Sequence, residues 1–247
     1  MSEAVDELIA RMVALLALLE ADGDPARFFL GTYLRITRAV GTAVADGLFE
    51  DPSWVARWDV DFAGFYLDAL EAYRRDPATA PAPWREAFGA KATLPPEGHV
   101  LLGVNAHINF DLPQSLVRVI SDEDFAAPSV LATRERDHER IDGVLSSRVT
   151  TEDVELQNAG DKRTWMDRLM APLNHAASRQ FLREARRKVW ANTAVLHSAR
   201  MVGDGEYQRR LAELEALSAA RVVDLLRPGP VLLRLAVRGF GVTLDPA

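Results

Sequence analysis

The chain contains no cysteine, and this absence removes several kinds of chemistry. Disulfide bonds, thiolate metal sites and cysteine nucleophiles are all excluded. The sequence also has no G-x-x-x-x-G-K phosphate loop and no G-x-S-x-G nucleophile turn. The commonest nucleotide-binding and serine-hydrolase functions are therefore not predicted.

Charge and hydropathy restrict the partners and the cellular location that we expect for the protein. The chain has 29 basic and 36 acidic residues, a formal net charge of −7, which argues against non-specific binding to nucleic acid. The apolar stretch at 12–19 is too short to span a bilayer, and the acidic N-terminus is unlike a secretory signal. We therefore expect a cytoplasmic protein with no membrane or nucleic-acid partner.

Apolar residues recur at helical spacing along most of the chain, which predicts an all-α protein. We expect one domain over residues 1–247, a multi-helix bundle in which the Pro- and Ala-rich residues 76–98 form an internal crossover. Asp24-Pro25 and Asp51-Pro52 are typical helix starts. Helices are predicted over 4–21, 25–47, 52–75, 97–112, 128–147, 162–170, 174–202 and 206–227, a loop over 150–161, and a strand or short helix over 231–242.

The predicted helix at 97–112 is apolar nearly all round, as expected of a buried central helix. It nevertheless carries four hydrogen-bonding side chains. These are Asn105, His107, Asn109 and Asp111.

His107 and Asp111 are four residues apart, so their side chains are neighbours on a helix. A divalent metal could take both, or Asp111 could orient the imidazole and raise its basicity. Gly103, one turn earlier, is expected to leave room for a ligand. Alternatively, these residues form a buried polar network that only fixes helix packing.

The helix at 52–75 places two acids among aromatic residues. Asp59 and Asp61 should either have a raised pKa or hold a partner. A salt bridge to Arg35 or Arg38 is the structural alternative. Tyr33 and Tyr66 are predicted to contribute to the same cluster.

Two further helices carry polar or aromatic candidates. Arg134 and Asp137 occupy positions where leucine would be expected. We predict that they bind substrate; the structural alternative is an ion pair between the two side chains. His138 beside them is expected to be exposed. On the long helix at 174–202, Trp190 and His197 share a face. His197 is a better candidate than His175 to face a central site, but a structural role is favoured for both.

The segment L-L-G-V-N-A-H-I-N-F-D-L-P at 101–113 resembles the hallmark of an uncharacterised bacterial all-helical family, whose motif is L-L-G-x-N-A-H-I-N-x-D-L-P. Residues 54–66, the Arg/Asp helix at 134–137 and Trp190 agree more loosely with that family. The resemblance implies no established activity. It implies that the four polar residues of the motif are the positions to test.

Two classes of function remain open from the sequence. The first is an enzyme acting on a small molecule between helices. In it His107, Asp111 and Asp59 are catalytic, and Asn105, Asn109, Tyr33, Tyr66, Arg134, Asp137 and Trp190 bind substrate. A divalent metal on His107 and Asp111 would give hydrolysis, whereas a metal-free site would suit a biosynthetic cyclase or isomerase. The second is a non-catalytic helical protein, oligomeric or not, that binds a ligand or partner.

Overall fold

All regular secondary structure in the described residues is helical, which confirms the predicted all-α class. The computed structural model describes residues 3–157, 175–229, 234–235 and 238–245, with backbone alone for 142, 145–157 and 175–183. None of the described helices is both long and apolar enough to cross a bilayer. The helices are α1 (Glu3–Ala21), α2 (Ala26–Ala45), α3 (Pro52–Arg75), α4 (Ala82–Phe88), α5 (Pro96–Ala106), α6 (Leu112–Val119), α7 (Asp122–Ala126), α8 (Pro128–Gln157), α9 (His175–Val202) and α10 (Asp204–Leu226).

The predicted helix starts at the two Asp-Pro pairs are confirmed. The Asp51 side chain accepts a hydrogen bond from the backbone N–H of Trp54 at 2.9 Å, with Pro52 in the first helical turn. Asp24 accepts one from the N–H of Ala26, also at 2.9 Å. Both aspartates therefore satisfy amide groups that a helix leaves free at its N-terminus.

The predicted central helix lies at the centre of the bundle, but it does not end near Pro113 and continues almost without a break over residues 96–119. It comprises α5, a π-helical turn (His107–Asp111) and α6, and it packs against α2, α3, α4, α9 and α10. Pro113 favours a wider turn before it, because its ring clashes with the carbonyl of Asn109 in a regular α-helix. The N–H of Leu112 bonds to the carbonyl of His107, five residues earlier, rather than to that of Ile108, and π-turns of this kind are frequent at functional sites.

The region predicted as a crossover contains a 3-10 turn (Pro77–Thr79) and α4. Helix α4 packs against α3, α5 and α10. It carries Trp84, which is fully buried, into the middle of the bundle. The Pro- and Ala-rich connection therefore supplies part of the core.

Helix α8 is longer than predicted. It continues through Gln157, so the loop predicted from residue 150 is wrong over residues 150–157. This stretch is polar but contains neither glycine nor proline, so nothing in it forces the helix to end. The rest of that loop and the helix predicted at 162–170 lie outside the described residues.

The described C-terminal segment, residues 239–245, is not helical and runs along α9. Val242 and Leu244 are buried while Thr243 between them is exposed, the alternation of an extended chain. A Cβ atom on Gly241 would lie 2.8 Å from Cδ of Lys188, so glycine permits this close approach. Part of the predicted strand or short helix at 231–242, residues 231–233 and 236–237, lies outside the described residues.

Candidate active site around His107

The central pair of the site is His107 with Asp111, at the two ends of the π-turn. Nδ1 of His107 lies 2.8 Å from Oδ2 of Asp111, and both side chains are buried. The indole N–H of Trp84 donates to the same oxygen at 2.8 Å. Because an indole nitrogen can only donate, this bond favours the carboxylate form of Asp111, with the shared proton on Nδ1 of His107.

Five aromatic rings surround the imidazole, and together they form what we call the aromatic cage. Phe62 stacks on His107 with a centroid distance of 3.7 Å and an interplanar angle of 5°. Tyr33 meets the imidazole edge-on at 4.7 Å. Among the cage rings Phe62 is half-buried and the others are buried, so Phe62 is the ring that reaches solvent. The cage consists of Phe29, Tyr33, Phe62, Tyr66 and Trp84.

Burial controls the protonation of the pair. It lowers the pKa of His107, and the bond to Asp111 only partly opposes it. Burial raises the pKa of Asp111, against the hydrogen bonds from His107 and Trp84, which lower it. The imidazole is therefore neutral near pH 7, and its Nε2 atom has no hydrogen-bond partner. The result is an unprotonated nitrogen base held inside the bundle.

Asp59 supplies a second titratable group on the same side of α3 as the cage. Burial raises the pKa of Asp59 to about 7, and its Oδ2 atom has no partner. The pKa of Tyr33 is raised by burial and then by the charges of Asp59 and Asp111, and the hydroxyls of Tyr33 and Tyr66 are also without partners. Each such buried group costs about 1–3 kcal/mol. Their concentration around His107 indicates a place for a ligand or ordered water.

Asp61 does not belong to this cluster. It accepts hydrogen bonds from Ser115 at 2.7 Å and Arg118 at 3.1 Å, which join α3 to α6. Asp61 therefore pairs with Arg118 and not with the predicted Arg35 or Arg38.

The structure gives Asn105 and Asn109, both predicted to bind substrate, a different set of partners. Each donates a hydrogen bond at 3.2 Å to the carbonyl of Phe240, and Asn109 accepts one from the N–H of Val242 at 3.2 Å. Asn192, which the sequence analysis missed, binds the carbonyl of Val242 at 3.1 Å. These asparagines bind the backbone of the C-terminal segment, while Oδ1 of Asn105 is buried without a partner.

Arg134 and Asp137 lie outside the cage and do not pair with each other. Arg134 binds Asp51 at 2.6 Å and Asp124 at 3.0 Å. The carboxylate of Asp137 accepts from the backbone N–H groups of Glu50 and Asp51, both at 2.8 Å. Both side chains thus fix the connection between α2 and α3 against α8.

The structure places His138 and His197 outside the cage, and the prediction that His138 is exposed is wrong. His138, expected at the surface, is buried between Trp58 at 5.6 Å and Trp190 at 5.5 Å, because α8 turns this side chain inward. This contact also places Trp190 outside the cage. His197 stacks on Phe125 of α7 at 3.7 Å, which agrees with the structural role favoured for it and not with a place in a central site.

Phe29, Phe62 and Trp84 are the cage residues that the sequence analysis did not identify as site residues. The ring of Phe29 fills part of the space expected beside Gly103 and would lie 2.5 Å from a Cβ atom there, while Gly103 itself lines a small pocket together with Phe29. Trp84 stands in the Pro-rich connection, where no periodic pattern marks it as buried. One feature of the sequence could have pointed to Trp84: it is a tryptophan in a short helix between prolines. If such an indole is buried, its N–H requires an acceptor, which would make it a partner for a buried carboxylate.

The arrangement of His107 and Asp111 gives little support for a metal site. His107 and Asp111 are hydrogen-bonded to each other, which leaves Nε2 as the imidazole nitrogen that could bind a metal ion. Within the described ranges, no group of three or more His, Asp or Glu side chains is placed to hold a metal ion. The pair thus has the arrangement of an oriented base more than that of two metal ligands.

Fold and site together define an all-α protein with a His–Asp pair enclosed by aromatic rings. The chain belongs to a family of unknown function (DUF5995), whose model matches residues 5–228. This confirms the expected membership of an uncharacterised helical family. The matched range includes the whole cage but ends before the C-terminal segment. No curated protein and no solved structure matches the chain.

Proposed function

We propose that the protein is a metal-free acid–base enzyme that acts on a small, flat, mainly apolar molecule bound against His107. The observation that carries the proposal is the imidazole itself: Asp111 orients Nδ1 while Nε2 has no partner inside the bundle. This is the arrangement of a general base whose proton affinity is raised by a carboxylate.

The proton transfer requires no group beyond those in the site. Nε2 of His107 takes a proton from the substrate, and the adjacent Asp111 carboxylate stabilises the imidazolium that forms. The proton then returns to a different atom of the substrate, as in an isomerase or cyclase. Asp59, whose pKa of about 7 keeps both of its forms populated near neutral pH, is suited to supply or accept the second proton.

The surroundings of His107 suggest the substrate class. Aromatic rings favour flat apolar molecules, and a neutral imidazole is strong enough only for activated protons, such as those beside a carbonyl or on an enol. Phe62 already stacks a flat ring on the imidazole at 3.7 Å. Its half-buried ring is the one whose displacement would admit a substrate from solvent.

A non-catalytic role in ligand binding is the second candidate. The observation in its favour is that the His107 residue is only 3% exposed, so packing around it is tight. Under this alternative the polar groups recognise a ligand without transferring a proton.

Deuterium exchange distinguishes the two functions. The protein is incubated in D₂O with ketones, enones and enols that carry aromatic or alicyclic rings, and deuterium entering carbon positions is measured by mass spectrometry. We expect protein-dependent exchange that His107→Gln abolishes and Asp111→Asn strongly reduces. His138→Gln, which alters another buried histidine outside the cage, should retain it. Saturable binding without exchange supports the non-catalytic role.

Loss of folding must be separated from loss of chemistry in the same variants. We expect His107→Ala to keep nearly the full helical circular dichroism signal while losing exchange. Failure of that variant to fold would give His107 a mainly architectural role.

A further inference from the structure

Buried side-chain amides hold the C-terminal segment by its backbone, in the way that another strand would. Asn109 donates to the carbonyl of Phe240 and accepts from the N–H of Val242, both at 3.2 Å. Asn192 repeats this pattern two residues further on, with the carbonyl of Val242 at 3.1 Å and the N–H of Leu244 at 2.8 Å. Each amide thus satisfies one carbonyl and one N–H of an extended chain.

The two amides belong to different elements, so the segment joins those elements. Asn109 lies in the π-turn, whereas Asn192 lies on α9. They meet at Val242, which gives its N–H to Asn109 and receives its other bond from Asn192. Asn105 of α5 adds a bond to the carbonyl of Phe240 at 3.2 Å. One extended residue therefore links the π-turn to a remote helix.

The linked turn carries the His107–Asp111 pair on its opposite face. Residues two apart on a helix point in nearly opposite directions, so Asn105 and Asn109 reach the segment while the pair reaches the cage. A π-turn is a rare backbone conformation. Contacts from outside the turn therefore help to decide whether it keeps the shape that places His107 and Asp111 2.8 Å apart.

We propose that the C-terminal segment is a clasp that positions the His107–Asp111 pair, with Asn192 as a positioning residue on the remote helix. Asn192 bonds to neither member of the pair and acts by holding Val242 against Asn109. Without its amide the segment is fixed from one side only, and the π-turn loses a rigid partner. The proposal rests on the proposed function, because the pair that the clasp positions is the proposed base.

The proton on Nδ1 of His107 reports whether the pair keeps its geometry. In full-length Asn192→Ala we expect this proton to exchange with water about tenfold faster, because two hydrogen bonds of the segment are lost. Long-range proton–nitrogen NMR should also show part of the imidazole with its proton on Nε2. Thr193→Val is the matched control, since it removes a buried hydrogen bond of the next residue on α9, made to the carbonyl of Val189 at 2.9 Å and not to the segment. It should leave both signals of His107 as in wild type.

Two results with these variants overturn the proposal. The first is an unchanged His107 signal in folded Asn192→Ala. The second is an equal change in Asn192→Ala and Thr193→Val, since a general loss of stability would then explain both. A protein that has no deuterium-exchange activity but still shows the Asn192 effect would contradict the proposed function and leave the clasp intact.

The unaltered protein decides the matter if Asn192→Ala does not fold. At low urea concentrations the Nδ1 proton of His107 and the amide proton of Val242 should lose their protection together, because one local opening exposes both. A Val242 amide that loses protection while the His107 proton keeps it overturns the proposal.

Discussion

Replacing Asp59 with asparagine should change how the stability of the protein depends on pH. Burial raises the pKa of this carboxyl to about 7, against an ordinary value of 3.8. Between those values the folded protein keeps the proton while the unfolded chain releases it. Because the folded pKa is the higher one, the free energy of unfolding falls as pH rises through this range and then becomes level.

The size of the effect follows from the two pKa values. At about 1.36 kcal/mol per pH unit, the full difference between them amounts to about 4 kcal/mol. Between pH 5 and pH 7 the part expected from Asp59 alone is about 2 kcal/mol. An asparagine cannot ionise, so the free energy of unfolding of the variant should lack this decrease with pH. The difference in free energy of unfolding between variant and wild type should therefore shift in favour of the variant as pH rises.

Urea unfolding from pH 5 to pH 8 measures this difference directly. The variant is compared with wild type at each pH, because other groups titrate equally in both proteins. Asp68→Asn, at an exposed position of α3, provides the control and should run parallel to wild type. If Asp59→Asn also runs parallel to wild type across the whole range, Asp59 is ionised in the folded protein and the reasoning fails.

Three other substitutions test the packing around the site. Phe62→Ala should expose the imidazole and raise the pKa of His107 towards its ordinary value, measured by NMR titration; an unchanged pKa would mean that this ring does not shield it. Asn109→Ala should cost about 1–3 kcal/mol and speed amide exchange in the C-terminal segment, and unaltered exchange there would contradict its role. Gly103→Ala should cost about 1–3 kcal/mol through overpacking, whereas Gly64→Ala, where a Cβ meets nothing within 4 Å, should be neutral or slightly stabilising by thermal unfolding; equal effects would refute the close packing.

Local patterns were sufficient to predict the fold class and the central helix. Helical spacing and the two Asp-Pro starts depend on neighbouring residues, so they can be seen in one sequence. The contact between His107 and Asp111 is of the same kind, because four residues along a helix bring side chains together.

Long-range partners could not be predicted in this way. Asp137 was predicted to pair with Arg134, three residues before it, yet it binds Arg140, three residues after it, and two backbone amides of the α2–α3 connection. The asparagines of the motif were predicted to bind substrate, and no local pattern indicated that they also bind a segment about 130 residues later in the chain. Amide and carboxylate groups accept many partners equally well, so only the packing of the whole chain selects among them.

The aromatic cage was only partly predictable for a related reason. Tyr33 and Tyr66 stand on amphipathic helices whose buried faces are visible in the sequence. Trp84 stands in a Pro-rich connection, and its burial depends on where that connection crosses the bundle. The hydrogen bond that fixes Asp111 therefore comes from a residue without a local signal.

The protonation state of His107 tests the account most directly. Long-range proton–nitrogen NMR of the unaltered protein at pH 7 should show a neutral imidazole with the proton on Nδ1 and a bare Nε2. The signal should titrate only below the ordinary histidine pKa. An imidazolium at pH 7, or a neutral ring with its proton on Nε2, would contradict the proposed base.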